Sequence, residues 1–204
     1  CTLHGDGELG HETRSFPVFD AVDVFDGFTA TLTVDTTMVV ESIEVQFGGD
    51  ANALGRLFAA VHEVDTLSVG VDPNHLTELD LGPTMSARLP ALRRVYAEDA
   101  SALAITGARE ALEIELHEAA SLTVQGAEAV VIDVIADDDT TLAIVGQGPT
   151  LNIVSSGNAT IDAGQFRAEA VRVEHQGSGE VVVCATKTIV IVGSGSARVR
   201  LACA

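Results

Sequence analysis

Apolar residues in this chain come in pairs two positions apart, and the pairs recur about every twenty residues. Leu103, Leu122, Leu142, Ile161, Val181 and Val199 hold one position. Ile105, Val124, Ile144, Ala163, Val183 and Leu201 hold the position two residues later, and both series step by 19, 20, 19, 20 and 18 residues. A second pair interleaves: Leu112, Ile132, Leu151, Val171 and Ile189, then Ile114, Val134, Ile153, Val173 and Ile191. Polar residues stand between its members at Glu113, Asp133, Asn152 and Arg172. A period of two marks a strand with one buried face. A unit of this length cannot bury that face alone, whereas stacked units bury it in continuous ladders. The pattern therefore predicts an all-β solenoid over residues 99–204, each coil about 4.8 Å above the last. Glycines after the first strand of each coil are read as corners, and the preceding Ser or Thr as a donor to local backbone. Each inward aliphatic contributes roughly 1.5–3 kcal/mol of burial. A charge at Val134 or Ile153 should be severely destabilising, while Asp133 and Asn152 should tolerate change.

Upstream, the alternation is less regular. "AVDV" and "FTATLTV" read as strands joined by a turn at "FDG", and "SIEVQF" and "DTLSVGV" as further strands. "GGDAN" and "DPNH" read as turns, and "TMSARLPALRRVYA" as two strands broken at Pro90. "ALGRLFAAVHEV" has helical spacing, with Leu54, Leu57, Phe58 and Val61 on one face, and predicts a short helix. The organisation expected is a polar tether over 1–13 and one domain over 14–204, with irregular strands to residue 98 and regular coils beyond. Hexapeptide solenoids want an apolar residue every six positions, and calcium-binding rolls want Gly-Gly-x-Gly-x-Asp repeats; neither pattern is present. An antiparallel sandwich of short strands is the alternative that strand spacing alone allows, although it would not explain steps this steady.

Composition sharpens this picture. Aromatics are 4% of the chain and Trp is absent, so the core must be built from Val, Ile, Leu and Ala. Acidic residues outnumber basic ones 30 to 11, a formal charge of −19. That balance argues against nucleic acid or an anionic membrane surface as a partner. No apolar run is long enough to span a bilayer. The chain begins at Cys1, which is either what lipoprotein processing leaves or simply where the sequence starts. In the first case a lipid on Cys1 is the one membrane contact. Cys184 and Cys203 lie one coil apart, close enough by stacking for a disulfide, with two small buried thiols as the alternative.

"ETRSFPVFDAVDVFDGFTATLTV", "VQFGGDANAL", "VDTLSV" and "ARLPALRRVYAEDASALAITG" follow one another in a recognisable order. With the recurring Ala-Ser-x-Leu-x-Ile-x-Gly coils, this resembles the auto-transporter adhesin head GIN domain family, from about Arg14 to the end. The resemblance implies a right-handed, single-stranded parallel β-helix of the pectate-lyase-like kind. It also implies an exported bacterial protein, often lipid-anchored, and favours lipidation of Cys1. It carries no catalytic residues over. The corners "EDAS", "HEAAS" and "ADDDTT" depart from the family's Ser-Gly corners and are more acidic.

Candidate chemistry is sparse. Asp137, Asp138 and Asp139 share a corner and are the candidates for Ca²⁺, which takes about six to eight oxygen ligands. Successive side chains diverge, so a solvated turn is the expectation. The histidines at 4, 11, 62, 75, 117 and 175 have no metal-binding spacing and are expected at the surface, with His117 and His175 facing outward at equivalent corners. "GQGP", "GSGE" and "GSGSA" lack the ending of a phosphate loop. Glu113, Asp133, Asn152 and Arg172 form an outward ladder, a shelf for an extended glycan or a pair of carboxylates for glycoside chemistry. Against both, the face lacks aromatics for sugar rings, and a polar face turned to solvent is the expectation. The leading expectation is a non-enzymatic, envelope-anchored binding solenoid whose partner is a glycan or a surface protein. A carbohydrate-active enzyme and a purely structural envelope protein are the alternatives. An uncapped last coil would invite a cap from the N-terminal strands or a homo-oligomer.

Overall fold

Both interleaved series become physical ladders. In the computed structural model, which describes residues 3–62, 65–72 and 76–203, Leu103 pairs with Leu122, then Leu142, Ile161, Val181 and Val199 in parallel register. Leu112 likewise pairs with Ile132, Leu151, Val171 and Ile189. The result is a β-solenoid of about five turns, roughly twenty residues each. Cys1 and His75 lie outside the described residues, as does part of the "DPNH" turn. No helix among the described residues is long and apolar enough to cross a membrane.

The strands in chain order are β1 (Leu3–His4), β2 (Leu9–Pro17), β3 (Ala21–Val24), β4 (Thr29–Val34), β5 (Ser42–Asp50), β6 (Leu57–His62), β7 (Thr66–Val71), β8 (Leu76–Glu78) and β9 (Thr84–Leu89). The coils continue with β10 (Arg94–Ala97), β11 (Ala102–Thr106), β12 (Leu112–Leu116), β13 (Ser121–Ala127), β14 (Val131–Ala136), β15 (Thr141–Gly157), β16 (Thr160–Gly177), β17 (Glu180–Gly195) and β18 (Arg198–Leu201). Two parallel stacks form the walls. Sheet one runs β9, β4, β11, β13, then the first parts of β15, β16 and β17, then β18. Sheet two runs β7, β3, β10, β12, β14, then the later parts of β15, β16 and β17. From β15 onward a single strand bends from one wall to the next. Gly146 makes that bend at φ 150°, where a Cβ would stand 2.1 Å from the Ala127 carbonyl oxygen.

The N-terminal part differs from the irregular strands expected. β3 and β4 already form a rung, and β7 and β9 add another on its far side, so β3 lies between β7 and β10. Residues 9–13, expected as tether, belong to β2, which pairs antiparallel with β5 from Leu9 to Pro17. The predicted helix is a 3-10 turn at Leu54–Arg56 followed by β6, antiparallel to β7. The exposed edge of β7 offers backbone partners along all six residues of β6, and that outweighs a weak helical preference interrupted by Gly55. These antiparallel strands cap the N-terminal end of both stacks. At the other end, Ile191 and Leu201 of the inward ladders stand 44% and 51% exposed.

Inside, the core is aliphatic, as the composition requires, with Phe19, Phe28, Phe47 and Phe166 fully enclosed. Polar groups enter it at defined points. Asp50 is buried and accepts hydrogen bonds from the backbone N–H of Gly7 at 2.8 Å and Leu81 at 3.0 Å. His175 is fully buried, contrary to the outward placement expected of it. It occupies the inward ladder Leu116, Ala136, Ser155, His175. Its ring bonds Ser155 Oγ and the Gly179 carbonyl, each at 3.0 Å, which satisfies both nitrogens. The hydroxyls of Ser101 and Thr140 do not bond local backbone. They are enclosed at the inner corner and have no hydrogen-bond partner among the described residues. A disulfide joins Cys184 to Cys203, Cα to Cα 5.0 Å, and fastens the segment after β18 to β17.

Two expectations follow for stability. Ile153→Ala, at a site with no exposure, should cost about 2–5 kcal/mol in chemical denaturation. Asn152→Ala next to it should cost within about 0.5 kcal/mol. Cys203→Ser should cost about 3 kcal/mol by loop entropy and open the β18 amides to hydrogen exchange before those of β13.

Candidate functional site

The outward face of sheet two carries the polar positions between the inward apolar pairs. Its first row reads Arg94, Glu113, Asp133, Asn152, Arg172 and Val190, one residue per rung. The structure thus brings the four candidate residues into one line. Asn152 donates its amide to Asp133 at 2.7 Å. Glu113 is exposed between Arg94 and Asp133 in register. Arg172 is held by Glu174, two residues on along the same strand. The second row reads Tyr96, Glu115, Ile135, Val154, Glu174 and Val192. Of these, Ile135 and Val154 are 38% and 49% exposed. Polar Asp133 and Asn152 therefore run alongside apolar Ile135 and Val154.

One aromatic ring, Tyr96, stands in these outward rows. Tyr96 stacks between Phe25 at 5.6 Å and His117 at 5.4 Å between ring centroids. Its hydroxyl donates to Glu98. Burial first, and then the Glu98 carboxylate, hold that hydroxyl above the usual tyrosine range. Both neighbours meet the ring at a tilt, 46° for Phe25 and 39° for His117, so the three rings pack as one cluster. Arg94 bonds Asp23 at 2.8 Å, and Asp23 accepts from Ser68. His117 faces Glu115 at 2.9 Å and Asp137 at 3.5 Å. Sequence spacing missed this cluster because Phe25 and Tyr96 are far apart in the chain and meet only when β10 stacks on β3.

The acidic corners have a backbone explanation. Asp26, Asp99, Glu118 and Asp138 all adopt φ between 56° and 59°. The equivalent place in the next coil is Gly157 at φ 66°. Each coil needs a left-handed residue where it leaves sheet two, and Asp tolerates that conformation better than most side chains. The three candidate carboxylates at 137–139 do not converge. Asp137 accepts from Ser156 at 2.7 Å and faces His117, Asp139 accepts from Asn158 at 2.9 Å, and Asp138 supplies the left-handed turn. Among the described residues, no group of three or more His, Cys, Asp or Glu is placed to hold a metal ion.

Stacked parallel coils with outward rows of mixed polarity define the chain as a β-solenoid. The model of the family described as "Putative auto-transporter adhesin, head GIN domain" matches residues 18–204, and the chain belongs to that family. Solved structures agree in fold. A putative adhesin from Bacteroides fragilis superposes with a TM-score of 0.82 at 18% identity, covering 98% of this chain and 99% of that one. A structure from Parabacteroides distasonis titled putative lipid binding protein gives 0.70 at 14%, covering 100% and 98%. A putative adhesin from the same organism gives 0.67 at 14%, with the same coverage. No curated protein matches the chain significantly. The family is consistent with an adhesin-like role at the cell surface.

Carboxylate stacking at the left-handed corner makes a testable electrostatic statement. Hydrogen bonding and repulsion from Asp99 raise the pKa of Glu118 above 4.5. The fold therefore favours protonated Glu118. That contribution is complete below the unfolded-state value and is lost as pH rises through the folded one. Glu118→Gln should raise the melting temperature at neutral pH, and the gain should close as pH is lowered past 4.5.

Proposed function

We propose that the protein is an exported, non-enzymatic binding module that takes an extended glycan along the outward face of sheet two. The observation that supports this most directly is the pairing of rows there. Asp133 and Asn152 offer hydrogen-bonding groups on two rungs, and Ile135 and Val154 offer apolar surface beside them. A sugar ring presents the same combination, polar at its rim and apolar on its face. The rigid parallel scaffold repeats the arrangement at the strand spacing, which suits a repeating polymer over a single small molecule. The Cys184–Cys203 disulfide fits an oxidising compartment outside the cytoplasm. A lipid on Cys1 would hold the module at the envelope, and the charge of −19 disfavours any closer approach to an anionic bilayer.

Chemistry on this face would need a carboxylate free to gain or donate a proton. Asp133 is already occupied by the Asn152 amide, an arrangement that suits recognition better than turnover. A glycan-array screen with and without Ca²⁺, followed by cleavage assays on the hits, tests the proposal. Saturable binding without cleavage is the expected result, weakened roughly tenfold by Asn152→Ala. Cleavage would replace the reading with a carbohydrate-active enzyme. Absence of any glycan binding would replace it with a structural or protein-binding role.

A further inference from the structure

We propose a second, independent ligand site: a cleft on the outward face of sheet one, beside loop 35–41, that takes a neutral hexose or hexosamine unit. The cleft, open to solvent on one side, has a volume of ≈ 560 Å³, within the range of small-molecule sites. Its floor is built by three adjacent strands. Thr31 of β4 pairs in register with Ser86 of β9, and Ser86 pairs with Gln46 of β5, so three polar side chains cross the floor in one row. Thr33, Ser42 and Glu44 lie next to that row. None of these six side chains has a hydrogen bond or ion pair among the described residues. Their donors and acceptors are free for a ligand, and no internal bond must break to meet one.

The opposite side is apolar. Met38 and Val40 of loop 35–41 line it. A pyranose satisfies both surfaces at once, with hydroxyls on the Thr and Ser floor and its C–H face on Met38 and Val40. The loop is held in place before any ligand arrives. Asp35 accepts from the Thr37 backbone N–H at 3.0 Å and from its hydroxyl at 2.6 Å. It also accepts from Arg88 at 2.6 Å, and its own N–H donates to the Leu89 carbonyl at 2.8 Å. A preorganised loop lowers the ordering cost of binding.

Charge sets the ligand class. Arg88 is neutralised by Asp35, which leaves Glu44 as the unpaired charge in the cleft. A carboxylated sugar would meet that carboxylate in a molecule already at −19, so a neutral or amino sugar fits and a uronate does not.

The test is amide-shift mapping by NMR of the whole chain against maltose, cellobiose and diacetylchitobiose, with digalacturonate as the anionic control. At least one neutral disaccharide should shift amides in 31–46 and 84–88 saturably, while digalacturonate leaves them unmoved. Thr31→Val with Thr33→Val keeps the β-branched shape and removes two hydroxyls, and should weaken binding roughly tenfold. Asn152→Ala on sheet two should leave this binding unchanged. The proposal is overturned if no neutral sugar shifts these segments, if the double valine variant binds undiminished, or if digalacturonate binds equally well. Shifts confined to sheet two would also overturn it, while leaving the sheet-two reading standing.

Discussion

In-register stacking of the inward ladders is the constraint on which the rest of the molecule depends. Each rung buries its Leu, Ile and Val only against the rung above and below. A register slip of one residue would turn the whole apolar set outward. Pairings such as Leu112 with Ile132 and Ile132 with Leu151 therefore fix more than the core. They fix which residues can ever face solvent, and place Glu113, Asp133, Asn152 and Arg172 in one line. The low aromatic content belongs to the same constraint, since a narrow interior one strand spacing deep per coil accepts branched aliphatics more readily than large rings.

Corners carry the second constraint. A coil that leaves sheet two must pass through a left-handed residue, and the chain meets that need in two ways. Early coils use Asp26, Asp99, Glu118 and Asp138, and later ones use Gly157 and Gly195. The acidic solution stacks carboxylates on one edge, where they repel, and Glu118 shows the consequence by holding its proton more tightly. At the candidate cation corner, Asp138 meets this backbone requirement while Asp137 and Asp139 bond Ser156 and Asn158. At residue 157 a side chain has no room, because a Cβ would stand 2.7 Å from the Asp138 Cα.

The separation of inside from outside explains how such a scaffold can serve recognition. Outward positions can vary without cost to the core, so one fold can present an amphipathic strip on sheet two and a hydroxyl-floored cleft on sheet one. The cleft depends on the N-terminal elaboration. β5 enters antiparallel beside β9 and brings Ser42, Glu44 and Gln46 to the side of β9 opposite the threonines of β4. The strands that cap the stack therefore also build the cleft.

Period-two apolar pairs at a twenty-residue step determined the solenoid, its register, the inward and outward alternation and the line of the sheet-two ladder, because each is a local consequence of strand geometry repeated. Other features were decided only by tertiary structure. The stretch from Leu57 to His62 became a strand because the open edge of β7 supplied its backbone partners. His175 moved inside because Ser155, brought beside it by stacking, and the Gly179 carbonyl at the following turn satisfied both ring nitrogens. Tyr96 came to pack against Phe25 and His117, and the cleft arose where β4, β5 and β9 meet. All of these depend on contacts between distant segments, and a local pattern has no means of recording which edge will find which partner.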